Sequence, residues 1–169
     1  VLKARYLSEQ TEVDPYVSTR RDLVGARVLL CLLHSHLGAV AIGLNSAKLG
    51  YVMTDQASLP LAFSDLLADL KRANVTGVTA TAGQAFGGDL EVINVASGVA
   101  ALLDHGCTQM VVAAGPGHVG TGSGLGFSSL ELAGHAAILS ALGATVGICV
   151  RASEVDRRKR HQGISHHME

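Results

Sequence analysis

From residue 26 onward the chain alternates short apolar runs with longer runs of helical character, and few arrangements of secondary structure can follow from that rhythm. The apolar runs are ARVLLCLL (26–33), YVMT (51–54), VTGVTATA (75–82), QMVVAA (109–114) and TVGICVR (145–151). Each is continuous instead of alternating, the pattern of parallel strands covered on both faces. Between them lie LGAVAIGLNSAKL (37–49), SDLLADLKRA (64–73), DLEVINVASGVAALLDH (89–105) and SLELAGHAAILSAL (129–142). Gly50, Asn74, Gly106 and Gly143 follow these runs where a left-handed residue ends a helix, and Ser128 with Glu131 has the spacing of a capping box. The fold class is α/β: a three-layer αβα, open, mostly parallel sheet of about five strands, Rossmann-like, with right-handed crossovers. A (β/α)₈ barrel would need three more strands. Residues 1–23 read as an irregular N-terminal segment and residues 24–169 as a single α/β domain. The chain starts on Val1, and we expect it to be part of a longer chain.

Composition narrows the partners. Hydrophobic residues make up 48%, charged residues 16%, and the formal net charge is −1, which excludes a disordered chain and a general polyanion binder. Aromatic residues are 4% with no Trp, so base-stacking platforms are missing and no nucleic-acid partner is expected. No uncharged apolar run reaches about 18 residues, and VLKARYLSEQTEVDP lacks the form of a signal peptide, so no membrane is expected. Cys31, Cys107 and Cys149 lie in or beside apolar runs without CxxC spacing. They read as core thiols of a cytoplasmic protein. A homo-oligomer stays open.

In a parallel sheet all strands point their C-terminal ends to one edge, where ligands bind. The segments that follow the strands there are LHSH (33–36), TDQASLP (54–60), GQAFGGDLE (83–91), GPGHVGTGSGLGFSSLE (115–131) and RASEVDRRKRHQGISHH (151–167). They hold most of the polar groups, whereas the opposite edge receives short turns. Six of the 20 glycines fall between Gly115 and Gly126. Exposed N–H groups leading into a helix near Ser129 make an anion cradle for phosphate or carboxylate; the competing reading is a loop ordered by its own turns. GPGHVG fits G-x-G-x-x-G only weakly, because the helix does not open inside it, and no Walker lysine follows. Arg151 and Arg160 are expected to close the anion site with bidentate forks, while Arg157, Arg158 and Lys159 are solvated.

His34 and His36 lie two apart at a strand end, which puts both on one face, and Asp55 ends the next strand. With His166 or His167 they would form an N₃O site for a divalent metal that activates water. His36 and His118 compete for roles as general base or anion donor, and His105 and His135 read as ordinary helix residues. Ser35, Ser123 and Ser153 lie near a histidine or an acid, but none stands in a G-x-S-x-G elbow. Asp89 reads as a helix N-cap, with Gln84 and Gly87 as neighbouring ligand groups.

YVMTDQASLPLAFS, GQAFGGDLE, GPGHVGTGSGLGFS and RRKRHQGISHH, in this order over residues 24–167, resemble an uncharacterised bacterial family, domain of unknown function 3866. The resemblance implies that the motifs form one site, made of Thr54, Asp55, Gln84, Gly88, Gly115, Gly117, Gly120, Gly122, Arg160, His161, Ser165, His166 and His167. It also implies longer members with a small β-rich segment before this region and more chain after it. It implies no reaction. We expect a hydrolase or group-transfer enzyme acting on a small phosphorylated or carboxylated metabolite. Gly115, Gly117, Gly120, Thr121, Gly122, Arg151 and Arg160 would hold the anion, and His34, His36, Asp55 and His166 would act as acid, base or metal ligands. The alternative is a non-catalytic nucleotide- or anion-binding module regulating a partner domain.

Overall fold

The computed structural model describes residues 1–46 and 48–168. Two short antiparallel strands, β1 (Leu2–Lys3) and β2 (Thr11–Glu12), precede the central sheet. That sheet has six strands: β3 (Arg27–Cys31), β4 (Gly50–Thr54), β5 (Thr79–Thr81), β6 (Leu90–Glu91), β7 (Gln109–Ala114) and β8 (Thr145–Cys149). All its pairings are parallel, in the order β6-β5-β4-β7-β3-β8. The helices are α1 (His36–Leu44), α2 (Asp65–Arg72), α3 (Val95–Asp104) and α4 (Glu131–Ala141). A second antiparallel pair, β9 (Ala152–Ser153) and β10 (Gly163–Ile164), folds the tail back on itself.

The crossovers out of β3 and β4 run toward the β6 edge, and those into β7 and β8 run the opposite way. A right-handed connection must therefore place the first two helices on one face and the last two on the other. The packing agrees: α1 meets α2, and α3 meets α4. Strand residues alternate between the two layers. Cys31, Tyr51, Met53, Val111 and Ala113 join Leu37, Ala41 and Leu67 on the first face. Val28, Leu30, Val52, Met110 and Val112 join Val99, Leu102, Leu132 and Leu139 on the second. With both faces covered, continuous apolar strands are what burial selects. In the middle of α3, Gly98 has no room for a Cβ against Val52, so the helix lies close on β4.

Several local expectations change. The expected helix over 89–105 begins only at Val95, where Asn94 and Ser97 cap each other reciprocally. Asp89 caps nothing; its carboxylate accepts from Lys71 Nζ, the Thr79 amide and the Thr79 hydroxyl at 2.7–2.9 Å. This ties the following residues beside β5 as a sixth strand, one more than expected. Ser128 and Glu131 form no capping box: Ser128 Oγ accepts from the Val119 amide, and Glu131 pairs with Gln56. Asn74, Gly106 and Gly143 do take positive φ after their helices, but α1 ends earlier, at Asn45 (φ 44°). Gly50 instead opens β4, pressed on Leu102.

Within the first 23 residues, Lys3 reaches into the domain and is fully buried. Its ammonium donates to Thr81 O (2.7 Å), Ala85 O (2.8 Å) and Glu91 Oε2 (2.7 Å). All three protons of the ammonium are thus satisfied, which makes burial of the charge tolerable. Lys3→Met leaves the Glu91 carboxylate with only the Thr81 hydroxyl and the Gly87 amide. Breaking such a pair costs roughly 3 kcal/mol or more. The Tm of the variant, read by scanning calorimetry, should fall by about 6 °C or more for a chain of this size.

Candidate functional site

Loops that leave neighbouring strands toward opposite faces open a crevice between them at the C-terminal edge. Here β7 leads to α4, while β3, beside it, leads to α1 on the other face. In that crevice lies a cavity of about 270 Å³ lined by Leu33 after β3, His118, Gly120 and Thr121 after β7, Arg151 after β8, and Arg158, Arg160, His161 and His167 of the tail. Three arginines line it, and no carboxylate does among the described residues. A larger hollow of about 420 Å³ lies between the N-terminal segment and α3. Several of its polar groups are already engaged: Arg20 pairs with Asp104, and Asn94 and Ser97 cap α3.

The arginines are held from behind. The Arg151 guanidinium donates to Asp156 Oδ2 (3.2 Å) and His161 Nδ1 (3.0 Å), with Ser165 Oγ at 3.5 Å. Asp156 also accepts from Arg158 at 3.0–3.1 Å. The Arg158 guanidinium and amide hold the Asp156 carboxyl well below the usual carboxylate range. Ser165 is buried and bonds His161 Nδ1 at 2.8 Å, which fixes the ring. Arginine donors meet both ring nitrogens, Arg151 at Nδ1 and Arg160 Nε at Nε2 (3.4 Å).

Four imidazoles and Phe127 form a stack beside the arginines. His167 lies against Phe127 (4.6 Å between ring centroids), His118 (4.9 Å) and His166 (4.0 Å), and His161 contacts both His166 and His167 at 5.1 Å. His118 Nε2 bonds the buried Ser129 hydroxyl at 3.0 Å. Burial, His166, His118, His161 and Arg151 together push His167 down to about 4. Burial and Arg151 lower His118 and His161 as well. The histidines nearest the cavity are thus neutral at neutral pH, and among the described residues the charged groups that line it are the arginines.

The structure brings together Gly120, Thr121, Arg151, Arg160, His161 and His167 at the cavity, with Ser165 and His166 directly behind. It adds Arg158, expected to be solvated, and Leu33. The glycine loop contributes less than its composition suggested. Thr121 N bonds Gly126 O at 2.6 Å and Ser128 N bonds Val119 O at 2.8 Å, so the loop closes on itself as a small hairpin. Gly115 is bare because a Cβ would strike the Ser58 carbonyl, and Gly117 turns the chain at φ 111°, while Gly122 faces open space. Gln84 and Gly88 lie at the β5–β6 end of the sheet: the Gln84 amide donates to Asp55 Oδ2 (2.9 Å), and the Gly88 amide to Thr81 Oγ1 (3.2 Å).

His34, His36 and Asp55 do not gather within 4.8 Å of one another among the described residues. His34 is buried, with Nδ1 3.0 Å from the Tyr51 hydroxyl and Nε2 2.6 Å from Ser64 Oγ. Tyr51 passes its proton to Ala114 O, and Ser64 Oγ caps α2. His34 therefore donates from Nδ1 and accepts at Nε2, with no lone pair left for a metal or a substrate. Asp55 is taken up by the Gln84 amide. The residue spacing along the sequence could not reveal either commitment.

The family model described as "Protein of unknown function (DUF3866)" matches residues 1–169, and the chain belongs to that family. No curated protein matches the chain, and no solved structure matches it. No helix among the described residues is long and apolar enough to cross a membrane.

The depressed histidines set a pH dependence. His167 titrates at about 4 in the fold against an ordinary value of 6.5, so between these pH values the folded chain binds fewer protons than the unfolded one. Stability should be greatest above pH 6.5 and fall as pH drops toward about 4. Tm measured across that window should decline, and His167→Asn should flatten the decline.

Proposed function

We propose that this member of the DUF3866 family binds a small phosphorylated or carboxylated metabolite in the cavity at the C-terminal edge of β3, β7 and β8, and hydrolyses it or transfers a group from it. The observation that carries this reading is that Arg151, Arg158 and Arg160 line one hollow that no carboxylate lines among the described residues. Guanidinium forks match phosphate and carboxylate oxygens bidentately. Two of the three are held in place by Asp156 before any ligand arrives, which lowers the cost of ordering them. The neutral rings of His118 and His167 are the proton-transfer groups of this reading, since an anion seated beside them raises their pKa toward the working range. Three cysteines without a disulfide fit a reducing, cytoplasmic setting.

A second reading, a non-catalytic anion-binding module, is favoured by the state of the one hydroxyl that lines the cavity. Thr121 Oγ1 is occupied by Gly126 O (3.1 Å) and Ser123 Oγ (3.0 Å), which leaves it poorly placed as a nucleophile. A ligand recovered unchanged after prolonged incubation would decide for the module. Appearance of free phosphate, or of an alcohol released from its ester, would decide for the enzyme.

Arg160 is exposed and borders the cavity, so Arg160→Gln should leave the fold intact. Losing one charge-assisted contact of about 1.5–3 kcal/mol should weaken phosphate binding roughly ten- to hundredfold. Calorimetric titration with inorganic phosphate and with simple phosphate monoesters measures this directly. Unchanged affinity would remove the cavity as the anion site.

A further inference from the structure

The last residues of β3 and β8 stand side by side: Cys31 and Cys149 are partners in the parallel register. Both side chains lie on the α1 face of the sheet, among Leu37 and Ala41. The chain leaves β3, turns through Leu32–Ser35 and starts α1 with His36. As a result the two sulfurs and one nitrogen of His36 all come within 4.8 Å of one another.

His34, His105, His118 and His161 each have a ring nitrogen in a hydrogen bond. The Nδ1 of His36, like His135 Nε2 and His167 Nδ1, is buried without a partner, and of these three histidines only His36 lies beside two sulfurs among the described residues. Leaving a buried polar atom unpaired costs free energy that a bound cation would recover. Cys31 and Cys149 are both free thiols, Cys31 buried and Cys149 partly so, and a coordinating metal deprotonates such thiols outright.

We propose that Cys31, His36 and Cys149 form a soft-ligand metal site that takes zinc. Two sulfurs and an imidazole select zinc among the common divalent ions, whereas magnesium and calcium require oxygen ligands. No fourth cysteine, histidine or carboxylate joins the three among the described residues. Three protein ligands with one position left open are the arrangement of catalytic zinc, which binds water or a substrate oxygen there; structural zinc is closed by four. Arg151 follows Cys149 by two residues and lines the anion cavity, so the metal would lie at its margin. The site does not rest on the anion-binding reading, because none of its three donors lines that cavity and they would bind metal in the absence of any anion.

The other histidine gathering, His161, His166 and His167, carries no such proposal. Arg151, Arg158 and Arg160 crowd the same hollow, and their charge repels a cation.

Cobalt(II) reports on the ligands. The reduced full chain, titrated with cobalt(II) and then with competing zinc, should bind one ion per chain with the intense near-ultraviolet absorption of thiolate–cobalt charge transfer, and zinc should bleach it. Cys149→Ser and His36→Gln alter partly exposed side chains, and circular dichroism would verify their folding. Losing a direct ligand should cost at least the roughly 10–100-fold in affinity seen on removing an outer partner, and Cys149→Ser should also reduce the charge-transfer band. The proposal is overturned if no thiolate band forms, or if both variants bind cobalt like the parent. It is equally overturned if the two sulfurs remain in a disulfide that resists reduction. Phosphate titration of the same variants should be unchanged, which keeps failure of the metal site apart from failure of the anion site.

Discussion

A parallel crossover coils right-handed almost without exception, and in this sheet the chain reverses its direction of travel once, when it leaves β6 and enters between β4 and β3. Those two conditions decide the rest. They assign each pair of helices to its face and split the apolar residues of every central strand between two layers. They also force the loop after β7 away from the loop after β3. The hollow at the C-terminal edge is the gap that this divergence leaves. The order differs from the 3-2-1-4-5-6 arrangement of dinucleotide-binding sheets. Because β7 is inserted and β8 is added outside β3, the first strand of the sheet is flanked by its last two.

The charges follow a consistent logic. Where a cation is buried, at Lys3, every proton has a partner and a carboxylate neutralises it. Where cations border the cavity, neutralisation is incomplete: one carboxylate, Asp156, is shared between Arg151 and Arg158. Arg160 has no ion-pair partner among the described residues. The neighbouring imidazoles respond by giving up their protons. An arrangement of this kind is electrostatically open.

Four strands were legible because a strand buried on both faces must be apolar throughout, and the expected runs overlap β3, β4, β5 and β7; the fifth run overlaps β8, an apolar edge strand that is left largely exposed. Strand direction alone indicated the edge at which Arg151, Arg160, His161 and His167 line one cavity. What escaped depends on partners distant in the chain. The strand at Leu90–Glu91 exists because Lys3 and Lys71 fix the carboxylates around it. His34 and His36 look alike in LHSH, yet one is consumed by Tyr51 and Ser64 while the other faces two sulfurs. The cysteines read as core because their adjacency requires β8 to pair with β3, and hydrophobic pattern says nothing about strand order. The glycine loop supported two readings from its sequence and partly satisfies both, as a self-closed hairpin whose first residues reach the cavity.

That β8 docks only on β3 has a bearing on how the protein comes into being. Synthesis delivers β3 first among the sheet strands and β8 last, and closing so long a stretch of chain is the slowest kind of contact to make. A nascent chain halted before β8 could assemble the other five strands, but it would lack Cys149, Arg151 and every tail histidine. The arginine-lined hollow and the sulfur pair are therefore both completed in one late step, as the last strand of the sheet zips into place beside the first.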